Sequence, residues 1–156
     1  MKTIYSLIIL IFILSSCSSM NNTKNQNLPN IILKTDNNKY DLIMKKTFYK
    51  FYKNSDNKNK TIIIKSQLSF QINDILSIKG KRKLKKLNGI LSYEMTKNGD
   101  AKVIKAGTIR SSINYGNVTS LYGIDKSLLF AKERLSRHLA QKLYNSLILR
   151  VNKFDN

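Results

Sequence analysis

Residues 61–72, TIIIKSQLSFQI, constrain the fold most, because apolar and polar side chains alternate along them. One face carries five apolar side chains interrupted by Ser66, namely Ile62, Ile64, Leu68, Phe70 and Ile72. The other face carries Lys65, Gln67, Ser69 and Gln71. A period of two is typical of a β-strand with one buried face. The segment therefore predicts a sheet with one apolar face, across which a helix should lie.

Three further segments predict strands, at residues 30–34, 87–95 and 101–115. The sequence KNGD at residues 97–100 predicts the turn between the last two, since Asn-Gly accepts positive φ angles. In the last strand Val103 and Ile109 fall on one face, whereas Ile104 and Ala106 fall on the other. This change of phase predicts a β-bulge near Gly107.

Two segments have the apolar spacing of amphipathic helices. Residues 40–53 place apolar or small side chains three and four apart, at Tyr40, Ile43, Met44, Thr47, Phe48 and Phe51. Residues 125–152 carry a ladder of aliphatic side chains at Leu128, Ala131, Leu135, Leu139, Leu143 and Leu147. Asp125 or Ser127 is expected to cap this second helix. His138, the one histidine, is expected to border the core beside Leu139.

The N-terminus has the layout of a lipoprotein signal peptide. Lys2 is followed by an apolar run too short for a membrane span, and Leu14-Ser15-Ser16-Cys17 looks like the bacterial lipobox. We expect residues 1–16 to be a signal peptide, and residues 17–30 to be an acylated Cys17 with a polar, flexible tether. The alternative for Cys17 is a buried thiol or an intermolecular disulfide. Ser18 is not the aspartate that retains many lipoproteins at the inner membrane, which favours the outer membrane.

The composition is strongly basic, with a formal net charge of +19. In an exported lipoprotein, the abundant polyanions are phospholipid and lipopolysaccharide rather than nucleic acid. The densest charge lies in IKGKRKLKKL, residues 78–87. Gly80 and Gly89 bracket five of its cations, which we expect to contact lipid phosphates from one loop: Lys81, Arg82, Lys83, Lys85 and Lys86. The alternative is a solvated loop.

Catalytic chemistry has no support in the sequence. One histidine and one cysteine cannot assemble a zinc site of the usual kind, and no glycine-rich phosphate loop or nucleophile elbow occurs. The nine acidic residues are scattered through linkers and turns. We expect neither enzyme activity nor a cofactor.

With its lipobox, tether and order of strands and helices, the chain resembles the lipopolysaccharide-assembly lipoprotein family (LptE, also called RlpB). Residues 88–151 carry the match, at Gly107, Ser111, Ser112, Tyr115, Ala131 and Leu139. The N-terminal half is shorter and richer in lysine than in that family, and the end of the last strand is richer in serine.

The resemblance implies an α+β fold for residues 31–156, a two-layer sandwich of two helices on a four-stranded, largely antiparallel sheet. It also implies a lipid-anchored protein on the periplasmic face of the outer membrane, partnered by an LptD-type β-barrel. Such a protein supports assembly of the barrel and binds lipopolysaccharide on its way to the outer leaflet. Two alternatives stay open: an auxiliary lipoprotein of an ABC-type lipid transporter, and a basic domain that binds nucleic acid or another polyanion.

Overall fold

The computed structural model describes residues 29–52, 61–75, 84–97, 102–116 and 120–151. The elements in chain order are β1 (Asn30–Thr35), α1 (Lys39–Phe51), β2 (Thr61–Ile75), β3 (Leu84–Lys97), β4 (Val103–Tyr115) and α2 (Leu121–Val151). The strands form one sheet in the order β1-β2-β3-β4. β1 is parallel to β2, whereas β2, β3 and β4 are antiparallel to their neighbours. The expected α+β fold with two helices and a largely antiparallel sheet is confirmed.

Both helices pack on the same face of the sheet, which we call the inner face. α1 contacts β1 and β2, α2 contacts β3 and β4, and the two helices contact each other. They run parallel: Lys39 Nζ at the start of α1 lies 2.9 Å from Glu133 Oε1, and the rings of Phe51 and Tyr144 lie 5.7 Å apart further along. No helix in the described part of the chain is both long and apolar enough to span a membrane.

The aliphatic ladder of α2 forms the centre of the core, as predicted. Its members from Ala131 to Leu147 are buried against the sheet, and Leu128 is half-buried beside them. Two expectations for this helix are wrong. The helix begins earlier, because the Ser120 hydroxyl accepts a hydrogen bond of 3.1 Å from the Gly123 backbone N–H and caps the first turn. His138 is exposed, because it lies with Arg134 and Gln141 on the side of α2 that faces away from the sheet and from α1.

The first helix starts at Asn38, whose side chain accepts hydrogen bonds of 3.0 Å from the backbone N–H groups of Tyr40 and Asp41. Met44 and Phe48 are buried as predicted. Phe51, predicted to face inward, is instead 42% exposed, because the helix ends there and Tyr52 turns into the core in its place.

Tyrosines from the end of α1 cover the free edge of β1. The Tyr52 hydroxyl accepts a hydrogen bond of 3.1 Å from the Ile31 N–H and donates one to the Pro29 carbonyl. The Tyr49 hydroxyl accepts a hydrogen bond of 2.9 Å from the Leu33 N–H. An uncovered edge would present these donors to other chains, so the two hydroxyls satisfy them and block the edge.

The bulge expected in β4 near Gly107 is present, but it lies three residues before that glycine. Met95 pairs with Lys105 and Thr96 with Val103, so the extra residue of β4 is Ile104. Gly107 is in regular register opposite Tyr93, and a Cβ there would lie 2.7 Å from the Tyr93 hydroxyl oxygen. The glycine therefore makes room for an aromatic ring and does not bend the strand.

The end of the sheet remote from Pro29 is less covered than the alternation in β2 predicts. Ile64 and Leu68 are buried, but Ile72 is 48% exposed. β1 pairs only with the segment from Thr61 to Ser66, and α1 reaches no further along β2 than the contact of Tyr40 with Phe70. Ile72 thus lies beyond the reach of both elements.

Candidate functional site

The second face of the sheet, which we call the outer face, has no helix packed on it among the described residues. It is formed by the alternate side chains that point away from α1 and α2. Most of them are amides, hydroxyls or cations: Lys34, Lys65, Gln67, Ser69, Gln71, Asn73, Lys86, Asn88, Ser92, Thr108, Arg110, Ser112 and Asn114. An exposed polar sheet face of this size is available to bind a partner or ligand.

Strand register arranges these side chains in rows across the sheet. Gln67, Ser92 and Thr108 form one row. Two further rows lie nearer the end of the sheet that is remote from Pro29. One contains Gln71, Asn88 and Ser112, and the other contains Asn73, Lys86 and Asn114. The amide of Asn88 donates a hydrogen bond of 3.2 Å to Asn73 Oδ1. Such rows of donors and acceptors can bind the hydroxyls of a sugar.

The charge on the outer face is mostly positive. Its cations are Lys34, Lys65, Lys86 and Arg110, and Glu94 is the one carboxylate among the described strand residues on this face. Lys34, Lys65 and Glu94 are neighbours in one row, so Glu94 offsets part of the charge there. Lys86 and Arg110 have no such acidic neighbour in their rows, which leaves their charges available to an anion.

Two open depressions mark the outer face. The first, of about 840 Å³, lies towards Lys34, Lys65 and Thr108. The second, of about 730 Å³, is lined by Gln71, Asn88, Arg110, Ser112 and Lys142. Lys142 belongs to α2 and reaches over the edge of β4, where its Nζ donates to the Arg110 carbonyl at 3.2 Å and lies 3.4 Å from Ser111 Oγ. The second depression thus combines two cations with amide and hydroxyl groups.

The predicted cation run is only partly described. Lys81, Arg82 and Lys83 lie outside the described residues. Lys85 and Lys86 were predicted to lie in a loop, but they belong to β3, because each pairs with one residue of β2 and one of β4. Gly89, expected to bracket the loop, is buried within the same strand.

The strand places Lys85 and Lys86 on opposite faces of the sheet. Lys85 points to the inner face, where its Nζ lies 3.8 Å from Asp74 Oδ1. Lys86 points to the outer face between Asn73 and Asn114. The two cations therefore cannot contact one phosphate group together, and only Lys86 belongs to the outer face.

Sequence reasoning missed Lys34, Arg110 and Lys142 as candidate binding residues. The polar side of the alternation in β2 was visible, but pairing between strands was needed to join it to β3 and β4. Lys142 arrives from a helix distant in sequence, which no local pattern indicates.

Cys17 lies outside the described residues. Within the described ranges, no group of three or more His, Cys, Asp or Glu side chains could hold a metal ion.

Solved structures with this fold include lipoproteins. Rare lipoprotein B from Shewanella oneidensis superposes with a TM-score of 0.63 at 10% identity, over 81% of this chain and 98% of that one. A minor lipoprotein from Acinetobacter baumannii superposes with a TM-score of 0.56 at 12% identity, over 75% and 88% of the two chains. No protein-family model and no curated protein matches the sequence. The chain therefore has the fold of rare lipoprotein B, as the sequence resemblance implied.

Proposed function

We propose that the protein is an outer-membrane lipoprotein, anchored through Cys17, that partners an LptD-type β-barrel and takes part in delivering lipopolysaccharide to the outer leaflet. Two independent features support this. The sequence LSSC follows a short apolar run, as in lipoprotein precursors. The described domain shares its fold with rare lipoprotein B over nearly all of that chain.

The observation that carries the binding role is the uncovered outer face. Lipopolysaccharide presents phosphates and sugar hydroxyls together. Lys86, Arg110 and Lys142 supply the charge-assisted hydrogen bonds that phosphates accept, and the rows of amides and hydroxyls match sugars. Among the described strand residues, no carboxylate shares a row with Lys86 or Arg110, which favours an anionic ligand over a neutral one.

We propose a binding role without catalysis. Among the described residues, the charged side chains of the outer face and its first depression are cations and the carboxylates Glu94 and Asp36, which form no nucleophile–base pair. Binding and release of a lipid require only a difference in affinity between the bound and released states, so the outer face needs no nucleophile–base pair.

The test is a titration of the full chain with purified lipopolysaccharide. Replacing Lys86 and Arg110 together by Gln should weaken binding about five- to tenfold at low ionic strength, and less at physiological salt, where exposed charges are screened. The matched control replaces Lys46 and Lys50, two exposed cations of α1, by Gln and removes the same charge from the helix side. Equal losses in both variants would mean that only net charge matters and that the outer face is not the site.

The cation run stays a separate prediction. A variant with Lys81, Arg82, Lys83, Lys85 and Lys86 changed to Ser or Gln should bind lipopolysaccharide more weakly and keep its melting temperature. Restoring Lys86 alone distinguishes the two surfaces: recovery of most of the affinity assigns the effect to the outer face, whereas no recovery assigns it to the remaining four cations.

A further inference from the structure

A row of apolar side chains crosses the outer face at one end. Ile32 pairs with Ile63, Ile63 with Thr96, and Thr96 with Val103, so the four side chains share this face in a single row. Ile32 is 40% exposed and Val103 is 46% exposed, and the bulge residue Ile104 beside them is 47% exposed. Elsewhere the outer face is mainly polar, so this end has a distinct surface.

The apolar row lies where the chain enters the domain. Pro29 is fixed there by the hydrogen bond from Tyr52, and Ile32 follows only three residues later. Cys17 precedes Pro29 by twelve residues, a length that spans at most about 40 Å when fully extended. An anchor at Cys17 would therefore hold this end of the sheet within about 40 Å of the bilayer and nearer to it, on average, than the opposite end.

Cations lie directly behind the apolar row. Lys34, Lys65 and Glu94 form the next row of the outer face, two residues or about 7 Å along the strands, and the row keeps a net positive charge. Aliphatic side chains at the level of the upper acyl chains, with lysines at the level of the phosphates, are the arrangement of proteins that dock on an anionic lipid surface.

We propose that this end of the domain, which we call the docking end (Ile32, Ile63, Val103 and Ile104), seats on the anionic lipid surface next to the anchor. The proposal rests on the anchor of the proposed function and adds a second contact to it. Acyl chains hold the protein at the bilayer, and the docking end fixes the orientation of the domain. The outer face then stands upright from the membrane surface instead of turning freely on a tether.

The chain contains no tryptophan, so a single introduced tryptophan reports its own surroundings. The full-length acylated protein is reconstituted into vesicles of phosphatidylethanolamine and phosphatidylglycerol, with Ile104→Trp as reporter. Ile72→Trp is the matched control, because Ile72 is equally exposed at 48% but lies at the opposite end of the sheet. The nine residues from Ile63 to Ile72 span about 30 Å along β2.

We expect the emission of the Ile104→Trp variant to shift to shorter wavelength in vesicles and to be quenched by brominated acyl chains, while the Ile72→Trp variant changes in neither respect. Adding Lys34→Gln and Lys65→Gln to the Ile104→Trp variant should lower the docked fraction. Each substitution should reduce the equilibrium constant for docking about fivefold. Adding Lys46→Gln and Lys50→Gln should leave it unchanged.

If both tryptophan variants float with the vesicles and neither is quenched, the anchor is sound and the docking proposal is wrong. Equal quenching of the two would mean that the domain lies on the bilayer without a preferred end, which also overturns it. If neither variant floats with the vesicles, the anchor itself fails, and both the docking end and the anchored lipoprotein of the proposed function are refuted.

Discussion

Gly89 of β3 lies directly beneath Leu139 of α2, so close that a Cβ on the glycine would come within 2.8 Å of Leu139 Cδ1 and 2.9 Å of Leu135 Cδ2. Both leucines are buried. The missing side chain of Gly89 lets the long helix approach the sheet along the middle of the aliphatic ladder. The packing of the two layers is set at this point.

The first prediction concerns this contact. Gly89→Ala should lower the free energy of unfolding by about 1–3 kcal/mol, because the added methyl group overpacks the interface. Leu139→Ala should cost about 2–5 kcal/mol by leaving a cavity. The double variant should cost less than the sum, since the methyl group of one fills space left by the other. Urea denaturation measures all three. Gly116→Ala is the control, because nothing would lie within 4 Å of its added Cβ. If the losses in unfolding free energy of Gly89→Ala and Leu139→Ala simply add in the double variant, the contact is contradicted.

The second prediction concerns Asp41, which is fully buried in the first turn of α1 with its Oδ1 unpartnered. Burial, and then the nearby Asp36 carboxylate, raise the pKa of Asp41 from 3.8 to about 6, against the hydrogen bond from Asn38. The folded state therefore retains a proton that the unfolded state releases. The stability contributed by this group is present at pH 4 and is lost as the pH rises towards 6.

Asp41→Asn removes the buried charge while keeping an oxygen for the Asn38 amide. Relative to the parent, its free energy of unfolding should be nearly unchanged at pH 4 and higher by about 2–3 kcal/mol at pH 7. Urea titrations at several pH values measure this difference and cancel the contributions of other carboxylates. A parent that gains stability over the variant as the pH rises would show that the helix N-terminus stabilises the charge more than burial penalises it.

The third prediction concerns the covered edge of β1. Tyr52→Phe leaves the Ile31 N–H without its partner in a buried setting and should cost about 1–3 kcal/mol. Tyr49→Phe does the same to the Leu33 N–H at a half-buried site and should cost less. Amide hydrogen exchange of Ile31 and Leu33 should accelerate in the respective variants. Tyr122→Phe, at a side chain 72% exposed on α2, serves as control, and unchanged exchange at Ile31 and Leu33 would contradict the edge bonds.

Local patterns predicted the elements that bury one continuous face. The period of two in β2 and the four-residue ladder of α2 identify the core because burial alone imposes them. The start of β3 was missed, because cross-strand pairing carries the strand through a dense run of lysines. The bulge at Ile104 and the exposure of Ile72 depend on how far β1, α1 and the opposite strands extend. The candidate site could not be predicted for the same reason, because the outer face forms only when the strands pair in register.

The fourth prediction concerns the anchor. The mature protein should begin at Cys17, and its intact mass should equal that of residues 17–156 plus the acyl groups. Cys17→Ser should accumulate as an uncleaved, mislocalised precursor, because no thiol is available for acylation before cleavage. Ser18→Ala is a control that leaves the thiol in place. Cleavage of the Cys17→Ser variant at the normal site would refute the lipoprotein interpretation.

The central claim is that this fold serves an outer-membrane β-barrel and its lipopolysaccharide. The most direct measurement is purification of the full chain, with a C-terminal tag, from detergent-solubilised membranes of the cell that produces it, followed by identification of the proteins bound to it. The account predicts one abundant partner from the outer membrane, an integral β-barrel in near-equimolar amount, with lipopolysaccharide in the same complex. Recovery of an inner-membrane ABC-type transporter in its place, or of the anchored protein without a barrel, would contradict it.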